Sequence, residues 1–220
     1  MKTVVFDLDG TLADTSADLL AAANACFEQL GHGVVLDSRD VLTAFHGGRA
    51  MLRVGFDRLG VGYGEDDISR EYPRLLRAYA DAIAVHTRMY PGAVAAVEAL
   101  RMDGYRTAIC TNKPEALALE LVRRLGVSHL FGALVGADTL TVRKPDPAPY
   151  VEVVRRVGGA VGQSMLIGDT ETDRLTGRAV GVPVALVTFG PEGAGVARLS
   201  PEALLDRYED LPGLAARFLG

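Results

Sequence analysis

The 220-residue sequence predicts an α/β fold in which a parallel sheet forms the core and an all-helical segment is inserted near the N-terminus. Two observations carry this prediction. Short apolar runs alternate with helical stretches along most of the chain, which is typical of βαβ units. Between residues 14 and 90, by contrast, about 75 residues show helical periodicity and almost no strand pattern. A single crossover helix needs far fewer residues than this.

The predicted strands are short, apolar and partly β-branched, as expected for strands covered on both faces. They span residues 3–6, 107–111, 133–135, 165–167 and 184–187. Prolines and glycines mark the intervening helices, since Pro114 opens a helix that Gly126 closes. Gly177 lies within the last predicted helix and is expected to weaken it by up to about 1 kcal/mol relative to alanine. The pattern predicts a Rossmann-like core.

The inserted segment is predicted to contain helices at 15–30, 51–59 and 68–85, the last interrupted by Pro73. Thr15 and Asp18 have the spacing of a capping box. We therefore expect residues 1–14 and 88–220 to form the core and residues 15–87 to form a helical cap domain. A mobile lid over a functional site is one interpretation of this cap, and a rigid appendage without a gating role is the alternative.

Composition narrows the classes of function. Hydrophobic residues make up 49% of the chain and the formal net charge is -5, with basic residues scattered rather than clustered, which argues against nucleic-acid binding. No segment has the run of apolar residues that a membrane helix or a signal peptide needs. The two cysteines, Cys26 and Cys110, lie in predicted packing positions, as in proteins of a reducing compartment. We expect a cytoplasmic protein, monomeric or homodimeric.

The strongest local pattern is the pair Asp7 and Asp9, which follows the first predicted strand. Ligands bind at the carboxyl ends of strands in open α/β sheets, and side chains two residues apart on a strand point the same way. Two neighbouring carboxylates repel each other unless a cation lies beside them, and a hard cation such as magnesium prefers oxygen ligands. The alternative is a pair of ordinary loop carboxylates, one of them capping a helix.

A second group of polar residues, Thr111, Asn112 and Lys113, follows the next core strand and precedes a helix. Donors at a helix N-terminus bind phosphate, so Thr111 and Asn112 are candidate phosphoryl ligands, with simple N-capping as the alternative. Lys113 is a candidate for binding an anionic substrate, but the pattern favours a solvated lysine at the start of a helix.

Two further segments supply charged candidates. Lys144 lies between an arginine and a proline in RKPDP, where a constrained ammonium can neutralise both a nucleophile and a phosphoryl group, although such a turn often only precedes a helix. Asp169 follows the strand at 165–167 and is placed to complete a metal site with Asp7. Asp173 is a candidate for orienting Lys144 or a metal-bound water. An acidic helix start is the alternative for both aspartates.

All four segments lie at predicted strand ends on one edge of the sheet. In order, they resemble the four motifs of the haloacid dehalogenase-like superfamily: FDLDGT, ICTNK, the lysine of RKPDP, and GDTETD. The resemblance implies that Asp7 is a nucleophile that forms an aspartyl phosphate and that Asp9 is the general acid and base. It also implies that Thr111 and Lys144 bind the phosphoryl group and that Asp7, the main-chain carbonyl of Asp9, and Asp169 hold Mg²⁺, with Asp173 in support.

Within the superfamily the sequence is most similar to the phosphoglycolate phosphatase family, over FDLDGTLADTSADLLAAANACFEQLG, YPGAVAAVEAL, TNKPEALALELVRRLG and VGADTLTVRKPDP. This likeness implies a small phosphorylated metabolite, 2-phosphoglycolate, as substrate. The stretch FHGGR at 45–49 resembles the family's specificity loop, which makes Gly48 and Arg49 substrate-binding candidates. An exposed arginine at a helix start is the alternative for Arg49.

Other activities remain open within the same resemblance. Related enzymes hydrolyse pyrophosphate, nucleotides or sugar phosphates, and some are phosphomutases of the β-phosphoglucomutase type. Dehalogenases lack an acid at the position of Asp9, and phosphonate-cleaving relatives need a cap lysine, which residues 15–87 do not contain. A non-catalytic phosphate-binding protein is the alternative of another class, and the presence of Asp9 together with Lys144 argues against it.

Overall fold

A computed structural model describes residues 1–220 and contains eight strands and nine α-helices. The strands are β1 (Thr3–Phe6), β2 (Ala13–Asp14), β3 (Arg88–Met89), β4 (Arg106–Cys110), β5 (Ala133–Val135), β6 (Ser164–Gly168), β7 (Val184–Val187) and β8 (Ala203–Leu205). The α-helices are α1 (Ser16–Gln29), α2 (Val41–Phe45), α3 (Gly48–Leu59), α4 (Glu65–Asp81), α5 (Ala93–Met102), α6 (Glu115–Arg124), α7 (Ala148–Arg156), α8 (Glu171–Val180) and α9 (Leu211–Leu219). None of these helices is both long enough and apolar enough to cross a membrane.

The main sheet has six strands in the order β5-β4-β1-β6-β7-β8, and every pair of neighbours is parallel. The first strand, β1, therefore lies in the middle of the sheet. Strands β4 and β5 lie on one side of it, and β6, β7 and β8 lie on the other. This order is that of the Rossmann fold, and the predicted α/β fold with a Rossmann-like parallel sheet is confirmed.

The sheet is buried on both faces because helices follow the strands. Val4, Val5 and Phe6 of β1 are fully buried. Val5 packs in one cluster with Tyr150 and Val153 of α7, so the alternation of side chains along a strand places Val4 and Phe6 on the opposite face. The apolar runs seen in the sequence are therefore the centre of the core.

Gly177 shows why a residue with low helix propensity occupies the middle of α8. A Cβ atom added at Gly177 would lie 2.0 Å from Cγ2 of Val184 on β7. The helix approaches the sheet too closely at this point for any side chain, so alanine at this position would introduce a clash. Glycine at position 177 lowers the helix propensity of α8, but the close packing of α8 against β7 requires it. The sequence did not reveal this requirement.

Two elements at the end of the chain were not predicted. The edge strand β8 has only three residues, too few for a periodic pattern, and α9 carries Pro212 and Gly213 in its first turn. Both form through tertiary contacts, since β8 pairs with β7 and α9 packs against α5 and β6. The order of six strands therefore includes one that local sequence does not indicate.

The chain divides into two compact units, a core unit of Met1–Asp14 with Met89–Gly220 and a helical unit of Thr15–Arg88. In the helical unit, α1 contacts α2, α3 and α4. Phe27 of α1 meets Phe56 of α3 edge to face, with ring centroids 5.4 Å apart. A Cβ atom at Gly55 would lie 2.1 Å from Phe27, so this glycine lets α3 approach the ring.

Two predictions for the helical unit are wrong. Pro73 lies inside an uninterrupted α4, because contacts with α1 and α3 outweigh the one backbone hydrogen bond that proline cannot donate. Asp18 does not form the predicted capping box with Thr15. Its buried carboxylate instead accepts hydrogen bonds from the amides of His86 and Thr87, both at 2.9 Å, and from the Thr87 hydroxyl at 2.7 Å.

Candidate active site

The side chains singled out in the core sequence follow the carboxyl ends of three adjacent strands. Asp7 and Asp9 follow β1, Thr111 follows β4, and Asp169 follows β6. Because these strands are parallel neighbours, their ends meet at one edge, where the strand order switches from one side of β1 to the other. Lys144 comes from the segment between β5 and α7 and reaches the same edge.

Lys144 joins two of the carboxylates. Its buried ammonium lies 2.6 Å from Oδ1 of Asp173 and 3.1 Å from Oδ1 of Asp7. Burial alone would lower the pKa of Lys144, but the neighbouring carboxylates Asp173 and Asp7 raise this pKa above its ordinary value. The two carboxylates therefore favour the charged form of this buried lysine.

Asp7 is buried and is oriented through one of its oxygens. The Leu8 amide donates to Oδ1 at 2.7 Å, and Lys144 contacts the same oxygen. Burial raises the pKa of Asp7 to about 6, since repulsion from Asp173 and Asp9 adds to it and the attraction of Lys144 only partly offsets it. Functional sites are where burial and neighbouring like charges raise carboxyl pKa values in this way.

Asp169 and Asp173 have different surroundings although they are four residues apart. Asp169 accepts a hydrogen bond from the Thr11 hydroxyl at 2.7 Å, and burial, with repulsion from Asp173 and Asp7, raises its pKa well above the usual range. Asp173 accepts from Lys144 on Oδ1, and its Oδ2 accepts from the Thr170 hydroxyl and from the amides of Asp169 and Thr170. Asp173 is thus fully engaged by the chain itself.

The acidic cluster has the donor set of a divalent-cation site. Oxygens of Asp7, Asp169 and Asp173 lie within 4.8 Å of one another, and all three residues are buried. These three carboxylates outnumber the Lys144 ammonium, which forms salt bridges with Asp7 and Asp173. A hard cation with oxygen ligands would relieve the repulsion that raises the pKa values of Asp7 and Asp169. The residues present therefore fit Mg²⁺.

Lys113 lies buried at this edge of the sheet, where the sequence interpretation favoured a solvated lysine over a binding role. The expectation of a solvated lysine at a helix start is wrong, because the Lys113 side chain is only 4% exposed. Its ammonium donates to both oxygens of Asp9, at 2.8 and 3.0 Å. The one signal in the sequence was its place directly after Thr111 and Asn112 at a strand end, which does not distinguish a buried lysine from an exposed one.

Thr111 and Asn112 lie at the same edge. Thr111 is buried, its amide donates to the Val135 carbonyl at 3.0 Å, and its hydroxyl accepts from the Lys113 amide at 3.2 Å. Asn112 is exposed, and its side-chain amide donates to the Lys144 carbonyl at 2.9 Å. Asn112 therefore fixes the backbone that carries the buried lysine, and a role in holding phosphoryl oxygens stays a prediction.

Gly48 and Arg49 belong to the helical unit and begin α3. The Arg49 guanidinium lies 4.8 Å from the centre of the Tyr72 ring and 3.3 Å from the Ser69 hydroxyl. Arg49 forms no salt bridge within this unit, whereas Arg53 of the same helix is bonded to Glu65 at 2.9 Å. The substrate-binding role of Gly48 and Arg49 stays a prediction.

Comparison with protein families matches residues 4–187 to the haloacid dehalogenase-like hydrolases. The chain belongs to this family. The match starts within β1 and ends with β7, so it contains every core residue described above. The family motifs read from the sequence are the segments that the fold brings to one edge of the sheet.

Within this family, the chain is similar to proteins described as phosphoglycolate phosphatases. The chain is 36% identical to a phosphoglycolate phosphatase from Mesorhizobium japonicum, over 94% of this chain and 92% of the relative. It is 35% identical to a phosphoglycolate phosphatase from Cereibacter sphaeroides over the whole of both chains. A solved structure from Lactobacillus delbrueckii subsp. bulgaricus, provisionally described as a phosphoglycolate phosphatase, is similar with a TM-score of 0.86 and 27% identity over all of both chains.

These comparisons confirm the predicted family, its likeness to phosphoglycolate phosphatases, and the prediction that the chain is an enzyme of the phosphoric monoester hydrolase class.

Proposed function

We propose that this enzyme is a Mg²⁺-dependent phosphatase that hydrolyses 2-phosphoglycolate, a small phosphorylated metabolite, through an aspartyl phosphate on Asp7. The observation that carries the proposal is the buried Asp7 carboxylate, oriented by Leu8 and Lys144 beside a second acidic residue, Asp9, in a chain similar to phosphoglycolate phosphatases. A site with a positioned nucleophile and a separate acid suits the transfer of a phosphoryl group in two steps.

In the first step an Asp7 oxygen attacks phosphorus, and the bond from phosphorus to the ester oxygen breaks. Asp9 donates a proton to the leaving oxygen, which departs as an alcohol. In the second step Asp9 takes a proton from water as the water oxygen attacks phosphorus. The acyl phosphate bond then breaks, which releases inorganic phosphate and restores the Asp7 carboxylate. Dividing the reaction in this way replaces one difficult displacement with two easier ones.

Lys144 supports both steps. Its ammonium lies between Asp7 and Asp173, so it neutralises the attacking carboxylate and then faces the phosphoryl group bonded to it. Thr111 and Asn112 bind phosphoryl oxygens together with Lys144. Positive charge fixed before the reaction stabilises the transition state without reorganisation of the site.

Asp7, the main-chain carbonyl of Asp9, and Asp169 hold Mg²⁺ in this proposal, and Asp173 supports them by fixing Lys144. When bound, the cation supplies charge stabilisation for the phosphoryl oxygens. The balance of buried charge supports this assignment, since one lysine faces the carboxylates of Asp7, Asp169 and Asp173. Thr11 orients Asp169 through its hydroxyl.

The helical unit acts as the cap in this proposal, and Gly48 and Arg49 bind the substrate carboxylate from it. Tyr72 stacks beneath the Arg49 guanidinium and limits the conformations of this side chain, which lowers the entropy lost when it binds a carboxylate.

A phosphate-release assay tests the proposal. The substrates are 2-phosphoglycolate, pyrophosphate, nucleoside monophosphates, glucose phosphates and p-nitrophenyl phosphate, each with Mg²⁺ and with EDTA. We expect the highest kcat/KM for 2-phosphoglycolate and loss of turnover in EDTA. A higher kcat/KM for another substrate, interconversion of glucose phosphates, or full activity in EDTA would contradict the proposal.

A further inference from the structure

We infer that Lys113 is a specificity residue that recognises a carboxylate on the leaving group, adjacent to the ester oxygen. The inference rests on the proposed function and deepens it, since it selects phosphate esters of 2-hydroxy acids over esters of neutral alcohols. The core unit then contributes its own cation to substrate recognition, besides any contribution of Arg49.

A lysine at position 113 is unusual for this chain, because most of its basic residues are arginines. Of its 23 basic residues, only Lys2, Lys113 and Lys144 are lysines, and the rest are arginines. Two of these three lysines are buried beside carboxylates at the same sheet edge. A compact ammonium fits where a planar guanidinium does not, so the use of lysine at position 113 indicates a small, fully enclosed contact.

The backbone of Lys113 is held in place. Its amide donates to the Thr111 hydroxyl at 3.2 Å, and its carbonyl accepts from the Ala137 amide at 2.9 Å. Pro114 follows and α6 begins at Glu115. The side chain therefore leaves a fixed point at the end of β4, and burial restricts it to the region around Asp9.

The contact between Lys113 and Asp9 locates the ammonium relative to the ester oxygen. Its nitrogen lies 2.8 Å from Oδ1 of Asp9. In the proposed reaction the ester oxygen must be within hydrogen-bonding distance of the Asp9 carboxyl group. The ammonium is thus a neighbour of the ester oxygen and of whatever is attached to it.

The chemistry of the substrate follows from that distance. In 2-phosphoglycolate the carboxylate carbon is two bonds from the ester oxygen, so the carboxylate oxygens lie roughly 3–4 Å from it by ordinary bond lengths. A carboxylate in this position is within reach of Lys113, which exchanges one Asp9 oxygen for one substrate oxygen. Lys144 is assigned to the phosphoryl group instead, because it contacts the Asp7 carboxylate that attacks phosphorus in the proposed reaction.

Two substrates of equal length separate this role from a purely structural one. Ethylene glycol monophosphate has a hydroxymethyl group where 2-phosphoglycolate has a carboxylate, and it keeps the same phosphate ester. We expect Lys113→Met to reduce the preference for 2-phosphoglycolate, measured as the ratio of the two kcat/KM values, by roughly 100-fold. The matched control, Lys2→Met, removes the third lysine and leaves the ratio unchanged.

If Lys113 only positions Asp9, the variant loses the same factor on both substrates and the ratio stays constant, which overturns the inference. If the wild-type enzyme shows no preference for 2-phosphoglycolate, the proposed substrate fails before any variant is made. The two failures are therefore distinguishable.

A binding measurement removes the dependence on turnover. In the Asp7→Asn background, calorimetry gives the Kd of each phosphate ester with and without Lys113→Met. We expect the Kd of 2-phosphoglycolate to rise about 30-fold and that of ethylene glycol monophosphate to change less than about threefold. Equal changes in the two Kd values, in a variant whose circular dichroism spectrum matches the parent, contradict carboxylate recognition by Lys113.

Discussion

In the helical unit the buried carboxylate of Asp40 is bonded through both oxygens to Arg58, at 2.7 and 2.8 Å, whereas in the core unit the buried Asp7 shares one lysine with Asp173. The Arg58 hydrogen bonds hold the pKa of Asp40 below its ordinary value, and burial raises the pKa of Asp7 to about 6. Both carboxylates are buried, but only the carboxylate of Asp40 has hydrogen bonds that outweigh the cost of burying its charge.

The number of hydrogen-bond and ion-pair partners distinguishes the structural carboxylates of the helical unit from the candidate site carboxylates of the core unit. Asp18 and Asp40 accept several hydrogen bonds from the helical unit itself, so their charges are compensated when the chain folds. Asp7 and Asp169 keep raised pKa values because the fold leaves their charges incompletely compensated. A cation that the chain itself does not supply would compensate these charges.

The largest effect we expect is on turnover of the Asp7→Asn variant. Removing the attacking charge while keeping the shape of the side chain should lower kcat by about 10⁴-fold or more, measured as phosphate release. The variant should give the same circular dichroism spectrum as the wild type. Turnover within tenfold of wild type would show that Asp7 is not the nucleophile.

Lys144→Met and Arg58→Met compare the ion pairs of the two units directly. Lys144→Met leaves two buried carboxylates without their ammonium and should cost roughly 3–5 kcal/mol in the free energy of unfolding at pH 7.5, together with nearly all activity. Arg58→Met should cost less in the free energy of unfolding, because the Arg58 side chain is partly exposed and water screens its ion pair, and it should leave kcat/KM within about twofold. Urea unfolding and phosphate release measure both. Equal loss of activity in the two variants would break the distinction between the units.

The stability of the metal-free protein should depend on Asp7 in a pH-dependent way. Between its ordinary pKa near 3.8 and the folded value of about 6, the folded chain binds more protons at Asp7 than the unfolded chain does. The stabilising contribution is present below about pH 4 and is lost as the pH rises through 6, so Asp7→Asn should stabilise the protein in EDTA at pH 7.5 by about 1–3 kcal/mol.

Thermal unfolding of both proteins in EDTA at pH 4.5 and 7.5 measures this effect. The gain from Asp7→Asn should shrink to about a third at the lower pH, because the carboxyl group of the folded wild type is then mostly protonated while that of the unfolded chain is still mostly ionised. Mg²⁺ at pH 7.5 should raise the Tm of the wild type more than that of the variant. A gain that is the same at both pH values would mean that the charge of Asp7 is not its origin.

The smallest effect concerns Arg49 in the helical unit. Arg49→Ala should raise KM about tenfold for 2-phosphoglycolate, because a charged hydrogen bond to the substrate carboxylate is lost, and leave KM for ethylene glycol monophosphate nearly unchanged. Arg53→Ala is the matched control, since Arg53 lies on the same helix and is bonded to Glu65. Similar KM changes for both substrates would assign Arg49 a structural role.

Local sequence determined the central strands of this protein, since runs such as that of β1 are apolar, β-branched and bounded by turn residues. It also placed Asp7, Thr111 and Asp169 at strand ends, because the carboxyl ends of parallel strands share one edge. The edge strand β8 and the continuity of α4 through Pro73 were not visible locally, because neighbouring elements stabilise them.

By itself, then, the sequence specified the family, the α/β core and which residues gather at one rim of the sheet, since periodicity and spacing are local properties. Only the tertiary structure decided which charges are buried together. The sequence pattern around Lys113 indicates a surface lysine, but the fold buries this side chain beside Asp9. Gly177 is a poor helix former by propensity, but the close packing of α8 against β7 leaves no room for a side chain there. The burial of a side chain and the distance between a helix and a strand depend on segments far apart in the sequence, so a local stretch of sequence cannot predict them.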